Sequence, residues 1–433
     1  MTESHPLREF ATDVVRRLTD AGFVSLWAGG CVRDFMMGRV PKDYDIATNA
    51  RPEQVREIFG KRRTVPVGES FGVIIVLGPT KSSGQVEVAT FRSEGDYTDG
   101  RRPDSVIFCT PEEDAARRDF TINGMFFDPL TEKLHDFVGG ERDLGEGIVR
   151  AIGDPRDRMS EDKLRMLRAV RFAATLDFQL DETTAQAVRD MAPEIRIVSW
   201  ERITQELKRM LVDQHRERAI RICHDLGLLE IILPELAPLL SEPSTLNPQP
   251  STRWWHTLHV LGNLESPGFE LAMAALLLSV PSTSTQSKRD RDNAGTVRGV
   301  CRRLKLSNEE TDYITWLVTN LHALDDAQSL PLSQLKRLLV HEQVTDLLTL
   351  ARRTALAEQR ETASLDFAAA YLANTPKEVL NPPELLNGSD LQKLGLPPGP
   401  QFKEILTAIR DAQLNELIAT ADEARALAVT MLK

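Results

Sequence analysis

The sequence predicts an α/β head followed by a long all-α remainder, and three observations carry that expectation. Between Phe23 and Phe137, short β-rich runs alternate with Gly, Pro and Asp punctuation. After Gly153, apolar residues recur at three- and four-residue spacing, the period of an amphipathic helix. Pro/Ser/Asn-rich or Gly/Pro-rich breaks at 240–251 and 381–400 then divide the helical part, and the polar segment 281–295 reads as a loop. Taken in order, residues 7–21 read as a helix, 24–27 as a strand, Pro52–Phe59 as a helix, and Val73–Leu77, 86–91 and 106–109 as strands. Residues 111–118 read as a helix and 124–127 as a strand. Leu164, Leu167, Val170 and Phe172 mark a further helix, and Ile203, Leu207 and Leu211 another.

Composition narrows the function class. With 433 residues, 41% hydrophobic and 27% charged, the chain is ordinary globular material, which excludes disordered and collagen-like classes. Its longest apolar run, residues 271–280, is about half of the roughly 20 residues a membrane-spanning helix needs. The N-terminus shows no basic-then-apolar signal pattern, so the expected location is the cytoplasm, with no membrane partner. Cys31, Cys109, Cys223 and Cys301 lie far apart with no CxxC pair, and no disulfide is expected. The formal charge is −11, and no third of the chain carries a basic excess. Nucleic acid would therefore be gripped by local stripes such as Lys61-Arg62-Arg63, Arg101-Arg102 and the arginines between Arg156 and Arg171.

Residues 26–48 (LWAGGCVRDFMMGRVPKDYDIAT) are the most informative. Gly29 and Gly30 follow a strand and precede a helical stretch, so backbone N–H groups can approach a phosphate there, with Arg33 one turn on. About thirteen residues later, Asp43 and Asp45 flank Tyr44 on a stretch that reads as the next strand. Residues two apart on a strand point to one side, a spacing suited to a hard divalent cation. Two like charges held together repel, which a bound cation relieves.

This segment resembles the signature of the class II nucleotidyltransferase superfamily, in the branch of bacterial tRNA CCA-adding enzymes and poly(A) polymerases. Two later segments resemble the same family: Arg117-Arg118-Asp119-Phe120-Thr121-Ile122-Asn123, its triphosphate and ribose motif, and residues 153–172 (GDPRDRMSEDKLRMLRAVRF), its base-selecting motif. The similarity is close over about residues 24–235 and looser beyond, with residues 386–400 (LNGSDLQKLGLPPGP) resembling the family's final domain. The resemblance implies an α/β nucleotidyltransferase catalytic head at 1–150, a helical neck at 151–235, a helical body at 236–380 and an RNA-binding tail at 381–433. It implies attack of an RNA 3′-hydroxyl on the α-phosphorus of CTP or ATP, with two Mg²⁺ ions held by Asp43 and Asp45. The product implied is the CCA end of tRNA, made without a template, whose acceptor arm the helical part would cradle. The nearest alternatives are a poly(A) polymerase and an enzyme that adds only part of CCA. Gly29, Gly30, Arg33, Arg118, Asp119, Asp162, Arg165, Arg168 and Arg171 are the implied nucleotide contacts.

Some of these roles also have a physical argument. If Glu161–Arg165 is helical, Asp162 and Arg165 lie three apart and about 60° apart on one face. A carboxylate that only accepts and a guanidinium that only donates fit a base with an amino group beside a ring nitrogen, as in cytosine and adenine. Uracil and guanine present a carbonyl beside an N–H and mismatch the pair. On the same helix Arg171 would lie about 180° from Asp162, in a positioning or phosphate role. The competing reading is a solvated helix with i, i+4 pairs among Glu161, Asp162, Arg165 and Arg168. Arg118, with no obvious partner at the head of a strand, is the better phosphate clamp, and Asp119 would orient it or read a ribose hydroxyl.

Glu87 is a candidate third metal carboxylate, because alternation sets it opposite Val86 and Val88. Residues 90–103 read as a loop that the family ties to the switch from CTP to ATP. Residues 199–203 and 206–208 resemble the family's helix-supporting motif and read as scaffold. Some relatives carry a metal-binding His-Asp pair in the body; here Leu278 and Ser279 stand there, which argues against phosphohydrolase chemistry. His256 and His259 then read as core or RNA-facing residues.

Overall fold

A computed structural model describes residues 5–68, 72–94, 106–240, 253–280, 286–394 and 399–431. Gly95, Gly100 and the Arg101-Arg102 pair lie outside the described residues. The chain divides into two compact units, Met1–Ile232 and Leu233–Lys433.

The first unit opens with α1 (Pro6–Asp20), whose Phe10, Ala11, Val14, Val15 and Leu18 recur at helical spacing and are all buried. Next come β1 (Ser25–Ala28), α2 (Gly30–Met36), β2 (Asp45–Thr48), α3 (Pro52–Phe59), β3 (Thr64–Gly68), β4 (Val73–Leu77), β5 (Gln85–Thr90), β6 (Arg92–Glu94) and β7 (Val106–Phe108). Then follow α4 (Pro111–Ala116), β8 (Phe126–Asp128), β9 (Lys133–His135) and α5 (Gly140–Glu146). A seven-stranded sheet runs β3-β4-β5-β2-β1-β8-β9. Its pairs are antiparallel except β2 with β5, which are parallel with Asp45 opposite Glu87.

The period of two along the central strands separates two cores. Trp27, Ile46, Val86 and Val88 pack with α1 and α3 residues on one face. Leu26, Ala28, Ala47, Phe91, Ala115 and Phe126 pack on the other. Asp45 and Glu87 share the second face with Ala47 and Ala28, because Ala28 is the register partner of Asp45 and Asp45 that of Glu87. The sheet's helix-covered side supplies stability, and its other side is left for chemistry.

The unit continues through the short parallel pair β10 (Ile148–Val149) and β11 (Gln179–Leu180) and helices α6 (Pro155–Glu161), α7 (Arg165–Thr175), α8 (Glu182–Met191), α9 (Trp200–Leu211), α10 (Arg216–Asp225) and α11 (Leu229–Ile232). On α9, Ile203, Leu207 and Leu211 are buried, as their spacing predicts. The second unit is helical: α12 (Ala237–Leu240), α13 (Arg253–Gly262), α14 (Phe269–Leu277), α15 (Gln286–Arg303), α16 (Asn308–Thr319), α17 (Leu332–Leu339), α18 (Val344–Ala357), α19 (Ala363–Asn374), α20 (Lys377–Leu380), α21 (Gly388–Lys393), α22 (Pro400–Leu414) and α23 (Ala421–Thr430). Among the described residues no helix is long and apolar enough to cross a membrane.

Three expectations are corrected here. Segment 281–295 is not a loop throughout, because α15 begins at Gln286; the polar sequence there carries no apolar stripe to signal a helix, while Val297, Val300 and Cys301 farther along it are buried. The break at 381–400 holds α21, started by Asn387, whose side chain accepts from the N–H groups of Ser389 and Asp390. Asp43 is not in a strand: it lies in a bend, and β2 begins at Asp45.

Candidate active site

The β1 to α2 turn is built on Gly29. Its φ of +73° lies in the left-handed region, and a Cβ there would sit 2.9 Å from Arg118 Nη1. The glycine thus lets Arg118 lie against the turn. Its carbonyl accepts from Val32 and Arg33 N–H at 3.2 Å each, closing the first turn of α2. Gly30 is less constrained, since a Cβ there would lie 3.7 Å from Arg33 Nη2.

Asp43 and Asp45 are both exposed while Tyr44 and Ile46 between and beyond them are buried, so the alternation holds even though Asp43 precedes the strand. Burial of its carboxylate, with the negative charges of Asp43 and Glu87, pushes Asp45 up to about 6, Arg118 opposing. These three acids therefore act on one region. Among the described residues no group of three or more His, Cys, Asp or Glu forms a closed metal cage. The donor set that fits a cation is the Asp43–Asp45 pair, with the strand-paired Glu87 beside it. That suits Mg²⁺, which takes one or two carboxylates and leaves other positions to water and phosphate oxygens.

Arg118 is not unpaired, contrary to expectation. Its Nη2 and Nε donate to Asp114 Oδ2 at 2.8 and 3.1 Å, and its Nη1 donates to the Asn123 carbonyl at 3.4 Å. Asp114, buried on α4, also takes Arg117. Burial raises Asp114, but the two guanidinium charges outweigh it and hold its pKa below the usual range. Nor do Arg118 and Asp119 head a strand; a single 3₁₀ turn, Thr121–Asn123, intervenes before β8. The pairing is legible in the sequence, since Asp114 lies three and four residues before Arg117 and Arg118 in the helix expected over 111–118, a spacing that the expectation of an unpaired Arg118 leaves out.

Asp119 is 9% exposed and is the centre of a network. Its Oδ2 accepts from Arg168 Nε and Nη2 at 2.8 and 2.6 Å, and its Oδ1 from Asn123 Nδ2 at 3.1 Å and Phe120 N–H at 2.8 Å. Burial alone would raise its pKa, yet Arg168 and these hydrogen bonds hold it at about 2. Asn123 Oδ1 in turn accepts from Arg33 Nη1 at 2.7 Å. At the other end, buried Glu206 takes Arg171 Nε at 2.5 Å and Arg209 Nη1 at 3.1 Å, with Arg168 at 3.9 Å. The guanidinium carbons of Arg33, Arg168 and Arg171 lie 5.1, 5.3 and 4.0 Å from the Phe172 ring centre, within cation–π range. Sequence reasoning missed Asn123, Phe172 and Glu206 as parts of this array. The available signal was Glu206, a carboxylate at a buried position of an amphipathic helix, which needs a cationic partner.

Asp162 and Arg165 do not share a helix face. Helix α6 ends at Glu161, and Asp162 is extended, with φ −145° and ψ 105°. The physical cause is capping: the Asp162 carboxylate accepts the Leu164 N–H at 3.0 Å just before α7, which stabilises a break. The angular argument that placed Arg171 opposite Asp162 on one continuous helix falls with it. Instead Asp162 pairs with Arg202 of α9 through two bonds, 3.1 and 2.6 Å. Arg165 is 9% exposed. Its Nη1 donates to Glu161 Oε2 at 2.5 Å and the Arg158 carbonyl at 3.0 Å, and its Nη2 to the Arg117 carbonyl at 3.2 Å. The i, i+4 pair Glu161–Arg165 of the competing reading is therefore present, but across the break.

In the second unit, Ser279 Oγ accepts from Thr257 Oγ1 at 3.0 Å, so the place of the missing Asp is filled by a hydroxyl pair. His256 is half-buried and His259 exposed on α13.

Residues 26–150 match the family model described as "Poly A polymerase head domain", 177–240 that for "Probable RNA and SrmB- binding site of polymerase A", and 292–427 that for tRNA nucleotidyltransferase domain 2. A CCA-adding enzyme of Lactiplantibacillus plantarum is 31% identical over 96% of this chain and 94% of its own. Poly(A) polymerase I of Haemophilus influenzae is 36% identical over 54% of this chain and 53% of its own. For several such relatives the match spans only about half of their length. The crystal structure of the Bacillus stearothermophilus CCA-adding enzyme in complex with CTP is similar at a TM-score of 0.70 and 27% identity, covering 98% of this chain and 97% of that one. A mixed-sheet head, helices beyond it and an alignment that runs almost end to end converge on one conclusion: the chain belongs to the nucleotidyltransferase family of CCA-adding enzymes and poly(A) polymerases, and is an RNA nucleotidyltransferase.

Proposed function

We propose that the protein completes the 3′-terminal CCA of tRNA from CTP and ATP without a nucleic acid template, in the cytoplasm. The observation that carries this reading is the site face of the sheet. There Asp43, Asp45 and Glu87 act on one region beside the Gly29 turn, with Arg118 laid against it. The end-to-end likeness to a CCA-adding enzyme supports the choice of product.

The RNA 3′-hydroxyl attacks the α-phosphorus and pyrophosphate leaves. Asp43 and Asp45 would hold Mg²⁺, which would supply charge neutralisation on the phosphates and a lowered pKa for the attacking hydroxyl. Arg118 and the Gly30 N–H bind phosphate oxygens, with Gly29 shaping the turn while its own N–H donates to the Met125 carbonyl at 3.3 Å, and Arg33 is held against Asn123 for the same task. Asp119, whose roughly four acceptor directions are taken by Arg168, Asn123 Nδ2 and the Phe120 N–H, orients Arg168 and not Arg118, and has no direction left to read a ribose hydroxyl. Asp162 accepts from the base amino group and Arg165 donates to the ring nitrogen, while Arg171 positions the array through Glu206. We assign 1–150 as head, 151–235 as neck, 236–380 as body and 381–433 as an RNA-binding tail. The match of the head to poly(A) polymerase I gives the second reading, A-tail synthesis on varied RNAs.

The test offers Mg²⁺, CTP and ATP with tRNA transcripts ending before the first C, after the first C and after CC, and an unstructured RNA. Two C additions followed by one A, with no growth on the unstructured RNA, are expected. Long A tails on any RNA would make it a poly(A) polymerase, and A addition only to the CC-ended tRNA would make it a partial enzyme. Asp43→Ala should abolish all addition while RNA binding persists; normal activity in that variant would sink the metal assignment.

A further inference from the structure

Helix α9 presents Arg202 and Glu206 four residues apart, hence on one face. Glu206 meets Arg171, and Arg202 meets Asp162. The second pairing fills most of the bonding capacity of Asp162. Its Oδ1 accepts from Arg202 Nη1 at 3.1 Å and from Leu164 N–H at 3.0 Å, and its Oδ2 accepts from Arg202 Nη2 at 2.6 Å. An ionised carboxylate offers about four acceptor directions, so about one is left, on Oδ2. The planar fork of Arg202 also fixes the plane of the carboxylate. Arg165 is filled in a similar way: three of its bonds go to Glu161 and to the Arg158 and Arg117 carbonyls, leaving about two of five N–H donors.

We infer that Arg202 is a specificity-determining positioning residue, which holds Asp162 so that its remaining acceptor direction fits the amino group of cytosine or adenine and not the ring N–H of uracil or guanine. The inference rests on the proposed base-reading roles of Asp162 and Arg165. Uracil and guanine carry the complementary groups in the opposite order, a carbonyl oxygen and a ring N–H. Uracil can satisfy the same two side chains only if the base slides by one ring position, bringing its O2 to Arg165, and the carboxylate turns, or offers its other oxygen, to meet the N–H; guanine after the same slide turns its 2-amino donor toward Arg165 and stays mismatched. Arg202 occupies both oxygens and Leu164 N–H pins one of them, so the turn is blocked. The residue acts through Asp162 and makes no contact with the base itself.

The test uses the full chain as wild type, Arg202→Lys, Arg202→Gln and Asp162→Ala. For each, kcat and KM are measured for CTP and UTP on a tRNA ending before the first C, and for ATP and GTP on one ending in CC. Arg202→Lys keeps the cation and loses the fork. It and Arg202→Gln are expected to lower the CTP-to-UTP ratio of kcat/KM by about tenfold or more, with UTP use rising in absolute rate, and to move the ATP-to-GTP ratio less, because the 2-amino group of guanine still meets Arg165. A scaffold role would lower right and wrong nucleotides together and leave the ratios unchanged, which overturns the inference. Should Asp162→Ala keep wild-type discrimination, the base-reading role itself is wrong. Should Asp162→Ala lose discrimination while both Arg202 variants keep it, only the inference about Arg202 is wrong. Thermal melting reports the folding of each variant, and Arg202→Lys carries the test if Arg202→Gln does not fold.

Discussion

Asp45→Asn should make the metal-free protein more stable while abolishing nucleotide addition. Without a cation Asp45 is held near Asp43 and Glu87, and burial together with these like charges moves its pKa from 3.8 to about 6. At full strength that shift is about 3 kcal/mol against the ionised form. The residue lies on a surface open to solvent, however, and screening leaves about 1 kcal/mol. The sign follows from proton linkage. A carboxyl with a raised pKa in the folded state favours folding when protonated, so wild type carries no penalty below 3.8 and acquires it as pH rises through about 6. Asparagine carries no charge and no penalty at any pH. The variant should therefore match wild type near about pH 4 and exceed it by about 1 kcal/mol at about pH 7.5 in EDTA. In a unit of this size that is a rise of about 2–4 °C in Tm. Added Mg²⁺ should raise the Tm of wild type and leave the variant little changed, because only a binding-competent site gains stability from ligand. The assay is thermal melting across this pH range, with EDTA and with Mg²⁺. Equal stability at the upper end, or a gap that does not change with pH, would refute the claim that these acids crowd one another.

Three other outcomes are expected. Gly29→Ala forces an L side chain to φ +73° and a Cβ to within 2.9 Å of Arg118 Nη1, so it should cost about 1–2 kcal/mol in melting experiments and raise KM for the nucleotide; an unchanged KM would mean that Arg118 is not held by this turn for phosphate. Asp119→Asn leaves Arg168 with Glu206 at 3.9 Å and the charge of Asp162 as acidic neighbours, neither in a hydrogen bond to it, and should cost about 2 kcal/mol near neutral pH by denaturant unfolding. Because the pKa of Asp119 is lowered, this contribution is present above 3.8 and is lost as pH falls through about 2, so a cost that grows on acidification would contradict it. In the second unit Lys336 is 1% exposed and its Nζ donates to Glu416 at 2.8 Å. Glu416→Gln keeps an acceptor oxygen but removes the charge facing the buried ammonium, from a side chain itself more than half exposed, and should destabilise by about 1 kcal/mol, with Lys336→Met costing less; the reverse order, read from tryptophan fluorescence during unfolding, would remove the desolvation argument.

Local physics explains what was legible in the sequence. A β-branched run predicted β4, and alternation of two around Glu87 in β5 predicted which residues face away from Val86 and Val88, because a strand's side chains are sorted by pleat alone. The Gly29-Gly30 turn and the Asp43/Asp45 alternation were legible for the same reason, as each depends on neighbours within a few residues. Helix α9 was visible from its buried stripe, yet the use of its polar face was not.

What the sequence by itself determined is the head-then-helices order, the family and the pair of carboxylates on one side of a strand end, since periodicity and short motifs encode these directly. Tertiary structure alone decided that Arg168 is held by Asp119, and that Arg202 and Glu206 of one helix grip Asp162 and Arg171. Partners such as Asp162 and Arg202, or Asp119 and Arg168, lie 40 and 49 residues apart in the chain. Their pairing is set by which buried charges the packed helices bring within reach of one another, and a buried charge must find its partner wherever the fold places it.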